Sequence, residues 1–190
     1  MRAILSAIAA GSLDAEARLV VSNRRDAPAL AYAADHGVAT RCIPTKLDPE
    51  AADAVLVEAL QAAGAELVVL SGYLRKLGPQ TLRGYAGRVL NVHPALLPKF
   101  GGPGMYGRRV HEAVAASGDV ISGATVHVVD EEYDHGPPVA QIEVALASGD
   151  DAAAIEAKVT AAEPALLVDV LRRISEGTLA LPAMPTPNFR

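Results

Sequence analysis

The stretch Arg88-Val-Leu-Asn-Val-His-Pro-Ala-Leu-Leu-Pro-Lys99 decides the fold. Its apolar start predicts a buried strand, and Pro94 ends that strand because proline has no N–H to give to a sheet ladder. Asn91 and His93 are two positions apart, so their side chains point to the same face of the strand. A carboxamide and an imidazole are therefore expected side by side at the carboxyl end of a strand, where open α/β sheets bind their ligands.

Length and composition indicate one α/β domain that spans residues 1–190. The chain has 190 residues, of which 51% are hydrophobic and 21% are charged, as in globular proteins. Its formal net charge is −5 and it has no long basic run, so neither nucleic acid nor a membrane is expected as a partner. The single cysteine, Cys42, and the absence of a signal-peptide pattern or a long apolar run predict a cytoplasmic protein.

Strands and helices are expected to alternate along the chain. Continuous apolar runs at 17–22 and 66–71 predict buried parallel strands, and Asp26 is expected to cap a helix that runs to about His36. The other predicted elements are helices at 1–10, 49–63, 108–117 and 152–176, a short helix to Tyr85, strands at 38–43, 122–130 and 139–145, and a Pro-rich surface tail. This order predicts a three-layer fold, a mostly parallel twisted sheet with helices on both faces.

Three side chains could perform acid–base chemistry. His93 suits proton transfer near neutral pH, and the amide of Asn91 could donate to an oxyanion. Asp134, in the loop 131–138, could reach His93, favour its protonated form and fix its orientation. Other roles stay open, because Asn91 could cap a turn, His93 could be a structural histidine and Asp134 could form a turn before Gly136.

The histidines do not follow a metal-binding pattern. His93, His127 and His135 fit no compact zinc spacing, so no metal is expected. His127 is expected to point inward and to hold the neighbouring acidic loop, whereas His36 and His111 are expected to be surface or packing residues. The sequence contains no glycine-rich nucleotide motif and no serine or cysteine with the pattern of an activated nucleophile.

Two long motifs resemble a known family. The run from Asn91 to Lys99, together with Gly123-Ala-Thr-Val-His-Val-Val-Asp-Glu-Glu-Tyr-Asp-His-Gly-Pro137, resembles the phosphoribosylglycinamide formyltransferase (glycinamide ribonucleotide transformylase) family of purine synthesis. The segments 71–75 and 104–113 agree with it, and the resemblance covers nearly the whole chain. It implies a formyltransferase-like fold with a Rossmann-type N-terminal half. It also implies transfer of a formyl group from 10-formyltetrahydrofolate, the co-substrate, to the amine of 5′-phosphoribosylglycinamide.

The resemblance implies roles for individual positions. Asn91, His93 and Asp134 fall on the catalytic positions of the family. Pro94 and Glu163 fall where the family binds the ribonucleotide, with Glu163 on the ribose hydroxyls, although Glu163 could equally be a solvated helix residue. The positions expected to bind the folate are Leu74, Arg75, Lys76, Leu77, Asn91, Val129, Asp130, Glu131 and Asp134.

The N-terminus departs from the family pattern. The family begins with a strand and a Gly-Ser-Asn phosphate loop, and this sequence starts at the helix that would follow them. The domain is therefore expected to be truncated relative to the family. Either the gene product starts upstream, or the chain is weakly stable and binds the ribonucleotide poorly.

Other activities stay open within and outside this enzyme group. A formyltetrahydrofolate deformylase-like hydrolase and a transferase acting on methionyl-tRNA are related alternatives. Both usually have an additional domain, for which a chain of 190 residues with a net charge of −5 leaves little room. A catalytically impaired folate- or nucleotide-binding protein is the alternative from another class. The expected partners are small molecules, and both a monomer and a homodimer are compatible with the sequence.

Overall fold

The computed structural model describes residues 1–184, in which six helices and six strands follow one another along the chain. In order they are α1 (Arg2–Ala9), β1 (Val20–Ser22), α2 (Pro28–Asp35), β2 (Thr40–Cys42), α3 (Pro49–Ala62), β3 (Val68–Leu70), α4 (Pro79–Gly84), β4 (Val89–His93), α5 (Arg108–Ser117), β5 (Ile121–Val128), β6 (Pro138–Ala145) and α6 (Ala152–Ser175). The predicted α/β class is confirmed. The end of the predicted Pro-rich tail, residues 185–190, lies outside the described residues.

The strands form two sheets. β1 and β2 pair in parallel, and β3, β4, β5 and β6 form a four-stranded sheet in that order. β3 and β4 are parallel, whereas β5 is antiparallel to both of its neighbours. Within residues 1–184, no backbone pairing joins the two sheets. The strands predicted at 122–130 and 139–145 therefore form an antiparallel pair, with β6 at one edge of the sheet.

Two helices begin with an aspartate cap at the positions where the sequence predicts their start. The carboxylate of Asp48 accepts the amide N–H of Ala51 at 2.9 Å, and Pro49 follows at the first position of α3. Asp151 caps α6 in the same way, through the amide of Ala154 at 2.8 Å. These caps satisfy N–H groups that have no partner inside the helix.

The predicted cap of α2 by Asp26 is wrong. The residue at the N-cap position is Ala27, and Pro28 opens the helix. The carboxylate of Asp26 accepts two hydrogen bonds from the guanidinium of Arg24, at 2.7 and 3.1 Å. Both carboxylate oxygens of Asp26 are bound to Arg24, and the N-cap position falls one residue later, so Asp26 caps no helix N–H.

β4 is buried on both faces. Val89 and Leu90 are 1% and 0% exposed, and their side chains point in opposite directions along the strand. Leu90 belongs to a large cluster with residues of α5, β5 and α6, and Val89 belongs to a second cluster with residues of α3 and α4. The strand that presents Asn91 and His93 is therefore fixed from both sides. None of the described helices has the length and apolar character needed to cross a membrane.

Candidate active site

The pairing of β4 with β5 places two imidazoles and a carboxamide together. Asn91 lies directly opposite His127, and His93 lies opposite Thr125. The amide nitrogen Nδ2 of Asn91 is 3.1 Å from Nε2 of His127. Both histidines are buried, with 3% of His93 and 2% of His127 exposed. The site therefore lies at the end of the central strand, as the sequence predicts.

Asp134 reaches this strand end from the loop between β5 and β6. Its Oδ1 lies 3.4 Å from Nδ1 of His93 and 3.7 Å from Nε2 of His127. Its Oδ2 accepts the backbone N–H of Gly102 at 3.0 Å. The backbone of Asp134 has φ 54°, a conformation that a non-glycine residue keeps only when its surroundings hold it there. The structure thus brings Asn91, His93 and Asp134 into one group.

Both ring nitrogens of His93 face oxygen acceptors. Nδ1 faces the carboxylate of Asp134 at 3.4 Å, and Nε2 lies 2.8 Å from the backbone carbonyl oxygen of Phe100. A neutral imidazole has one N–H donor, whereas the protonated ring has two. A neutral ring would therefore leave one of these two acceptors without a hydrogen, whereas two N–H groups would satisfy both.

Opposing effects act on the carboxylate of Asp134. Burial favours the neutral acid, but the hydrogen bond and charge of His93 and the N–H of Gly102 favour the anion. Together these partners hold the pKa of Asp134 below its ordinary value. Asp134 is therefore an anion at neutral pH.

His127 is a neutral ring that orients Asn91. Burial lowers the pKa of His127, although its hydrogen bond to Val128 and the charge of Asp134 act in the opposite direction. Nδ1 donates to the carbonyl of Val128 at 3.1 Å, which leaves Nε2 as an acceptor for one N–H of Asn91. The second N–H of the Asn91 amide remains for another acceptor. His127 points inward, as the sequence predicts.

The loops predicted to bind the folate lie next to each other. The ammonium of Lys76 is 6.0 Å from the ring centre of Tyr133, and Tyr73 and Val129 pack against the same apolar cluster. Leu74 is 65% exposed. Arg75 and Lys76 are exposed too, and Val129, Asp130 and Glu131 are half-buried.

Leu77 differs from the other residues of its loop. It is 7% exposed and belongs to the core cluster with Leu60, Leu82 and Val89. Its side chain therefore anchors the loop, and only its backbone is left to face a ligand.

Glu163 lies beside the strand that bears the site. It lines a cleft of about 240 Å³ together with Ser71 and Val92. Burial raises the pKa of Glu163, and the charge of His93 opposes this effect. Pro94 is half-buried directly after β4. Glu163 therefore lies beside Val92, near the carboxyl end of the central strand.

The remaining histidines take other positions. His135 is exposed and pairs with Asp130 at 2.7 Å, and this hydrogen bond raises the pKa of His135. His111 is 3% exposed on α5, so it is a packing residue. Among residues 1–184, no group of three histidine, cysteine or acidic side chains is arranged to hold a metal ion.

Two partners of the site are backbone groups that sequence reasoning missed. The carbonyl of Phe100 binds His93 and the amide of Gly102 binds Asp134. Side-chain patterns do not signal backbone partners. The only indication is the glycine-rich stretch that starts at Phe100, which allows the chain to approach other atoms closely.

This fold and this site define a class. The protein is an α/β domain with a carboxamide, an imidazole and a carboxylate at the end of its central strand, and it has two further loops and a cleft beside them. Such a group can bind a developing oxyanion and relay a proton.

Comparison with known proteins gives the family. The model of the formyl transferase family matches residues 1–171. The chain is 38% identical over 170 residues to a chloroplastic phosphoribosylglycinamide formyltransferase of Arabidopsis thaliana, covering 87% of this chain and 58% of that protein. It is 35% identical to phosphoribosylglycinamide formyltransferase of Escherichia coli, covering 95% and 84% of the two chains. The chain belongs to the formyl transferase family.

A solved structure agrees with this assignment. Glycinamide ribonucleotide transformylase 1 of Symbiobacterium toebii superimposes with a TM-score of 0.86 at 31% identity, covering 96% of this chain and 85% of that one. The family resemblance predicted from the sequence is therefore confirmed. The chain spans less than two thirds of the length of the plant relatives, with 58% and 57% covered in two of them.

Proposed function

We propose that the protein transfers the formyl group of 10-formyltetrahydrofolate to the amine of 5′-phosphoribosylglycinamide. The observation that carries this proposal is the grouping of Asn91, His93 and Asp134 around one strand end. The similarity to proteins named phosphoribosylglycinamide formyltransferase supports the choice of substrates.

The first step of the reaction forms a tetrahedral intermediate. The substrate amine attacks the formyl carbon, and the carbonyl oxygen becomes an oxyanion. The second N–H of Asn91, whose first N–H is bound to His127, donates to this oxyanion, and the positive charge of His93 stabilises it. One positioned donor of this kind contributes about 2.7–4 kcal/mol to lowering the barrier.

The second step needs a proton transfer. The attacking nitrogen loses a proton, the folate nitrogen gains one, and the bond between that nitrogen and the formyl carbon then breaks. Formylglycinamide ribonucleotide and tetrahydrofolate are the products. The proton passes through His93 or through a water molecule held by the carboxylate of Asp134, and general acid–base assistance of this kind contributes ~10²–10⁴-fold.

The two substrates have separate binding regions. We assign the folate to the surface formed by the loops 74–77 and 129–134, where the exposed side chain of Leu74 is followed by the cation of Arg75. The reactive end of the folate meets Asn91 and Asp134. We assign the ribonucleotide to the cleft lined by Glu163 and to Pro94, which follows β4, with the Glu163 carboxylate on the ribose hydroxyls.

We expect the protein to act on small molecules, and two alternative functions stay open. The expected partners are these small molecules, with no resident metal, and the expected location is the cytoplasm. A deformylase-like hydrolase is the alternative function, since the same three groups could deliver the formyl group to water. A protein that binds folate or nucleotide without turnover is the second alternative.

Consumption of formyl-folate distinguishes these functions. Purified protein is incubated with 10-formyltetrahydrofolate, with and without the glycinamide ribonucleotide, and both products are quantified. Consumption only with the amine supports the transferase. Consumption without the amine indicates the hydrolase, and no consumption alongside folate binding indicates a binding protein.

A further inference from the structure

The turn that follows His93 is fixed by two side chains from neighbouring strands. Thr125 on β5 is 0% exposed and lies directly opposite His93 in the sheet register. Its hydroxyl donates to the carbonyl of Ala95 at 2.6 Å and accepts the backbone N–H of Leu97 at 3.0 Å. One hydroxyl thus holds both ends of the turn at 95–97.

Gln141 on the edge strand β6 completes this arrangement. Its amide nitrogen Nε2 donates to the carbonyl of Leu97 at 3.0 Å and to the hydroxyl oxygen of Thr125 at 2.9 Å. The hydroxyl hydrogen of Thr125 is committed to Ala95, so both atoms that face Gln141 are acceptors. The amide must therefore present its NH₂ group to the turn, and a carboxylate or an apolar side chain could not replace it.

After the turn, the chain comes back into contact with the imidazole of His93. Three residues after Leu97, the carbonyl of Phe100 accepts the hydrogen bond from Nε2 of His93, and two residues further the amide of Gly102 binds Asp134. The position of both side chains therefore depends on the path of residues 95–102. Ala95 and Leu97 are 0% and 8% exposed and Thr125 is 0% exposed, so water has no access to replace the bonds from Thr125, whereas Gln141 binds the same turn from the exposed side of β6.

We propose that Gln141 and Thr125 are positioning residues of the transfer reaction, which hold His93 in its productive orientation through the 95–102 turn. The inference rests on the proposed function, because it assigns His93 to that reaction. Neither side chain needs to touch a substrate. A displacement of about 1 Å at a reacting group can cost ~10²-fold in rate, so a loosened turn is expected to lower kcat more than it raises KM.

The test compares Gln141→Met and Thr125→Val with Thr125→Ser, which keeps the hydroxyl, and with Glu143→Gln, a polar change two residues along the same face of β6. We expect Gln141→Met and Thr125→Val to lower kcat about 10–100-fold with less than a threefold change in either KM. Thr125→Ser and Glu143→Gln should retain wild-type kcat. Nitrogen NMR of the His93 ring should show loss of the Nε2 hydrogen bond in Gln141→Met and Thr125→Val.

Three outcomes would overturn the inference. The first is wild-type kcat in Gln141→Met, and the second is an unchanged His93 signal. The third is a loss of activity that only follows the fraction of protein that is folded, as measured by thermal melting. Failure of the proposed function gives a different result, an inactive wild-type protein, and the NMR measurement then still reports on the turn.

Discussion

Asn91 and His127 face each other across the antiparallel strands β4 and β5, and their side-chain nitrogens Nδ2 and Nε2 are 3.1 Å apart. Because Nδ1 of His127 is bound to the Val128 carbonyl, Nε2 accepts and the amide of Asn91 donates. The strand register therefore fixes both the position and the orientation of the candidate oxyanion donor.

Removal of this donor should reduce transfer strongly. We expect Asn91→Ala to lower kcat about 10²–10³-fold, because the second amide N–H that meets the oxyanion is lost. The measurement is steady-state turnover, with circular dichroism to verify the fold. Turnover within threefold of wild type would remove Asn91 from the mechanism.

The imidazolium of His93 gives a second test. His93→Ala should lower kcat ~10²–10⁴-fold, since it removes both the positive charge and the proton relay. His36→Ala, on the exposed end of α2, is the matched control and should keep full turnover. Equal activities of the two variants would contradict the assignment.

The substitution Asp134→Asn removes the negative charge and keeps the size of the side chain. Asp134→Asn should lower kcat. It should also make the free energy of unfolding less dependent on pH in the acid range. The lowered pKa of Asp134 in the folded protein means that the native state binds fewer protons than the unfolded chain, so stability falls as pH drops below about 3.9. In urea unfolding experiments between neutral and acid pH, the free energy of unfolding should decrease less for Asp134→Asn than for wild type.

His127 should contribute to stability in a higher pH range. Its pKa is lowered in the folded state, so the unfolded chain takes up a proton first as pH falls below about 6.5. The free energy of unfolding should therefore decrease from that pH downwards, and His127→Gln should weaken the dependence. The pKa of His111 is also lowered. Because His111 is present in both proteins, its contribution to the pH dependence of the free energy of unfolding cancels in the comparison. An identical pH slope for the two proteins would show that His127 is not neutral and buried in solution.

A close backbone approach supports the loop of Asp134. A Cβ atom at Gly136 would lie 1.9 Å from the carbonyl oxygen of Val128, which forces the loop away from β5. We expect Gly136→Ala to destabilise the fold by about 1–3 kcal/mol and to lower turnover by displacing Asp134. Gly118→Ala tests backbone strain alone, because Gly118 has φ 73° and open space around it, and it should leave turnover unchanged.

How much of this could be predicted from the sequence depends on the kind of interaction. Hydrophobic periodicity and proline positions predict the strand end at His93, and the two-residue spacing predicts that Asn91 shares its face. The prediction that Asp26 caps α2 was wrong because the carboxylate binds the neighbouring Arg24 instead. A local sequence pattern does not show which of two possible partners a side chain will bind. The contacts of Phe100, Thr125 and Gln141 depend on a sheet register and a turn path that arise only when distant segments pack.

The proposed ribose contact can be tested separately from the chemistry. Glu163→Gln should raise KM for the ribonucleotide about tenfold, the effect of one weakened hydrogen bond to a charged group, with little change in KM for the folate. Glu156→Gln is the matched control, since position 156 lies two turns earlier on α6 and on the same side of the helix. A higher folate KM in Glu163→Gln would instead place this side chain in the other binding region.

The amine dependence of formyl-folate consumption tests the central claim most directly. A single assay follows tetrahydrofolate release and the formylated ribonucleotide as 5′-phosphoribosylglycinamide is added to the protein and 10-formyltetrahydrofolate. The account predicts that the two products appear together, in equal amounts and only after the amine is added. Release of tetrahydrofolate with formate and without the amine, or no release at all, would contradict it.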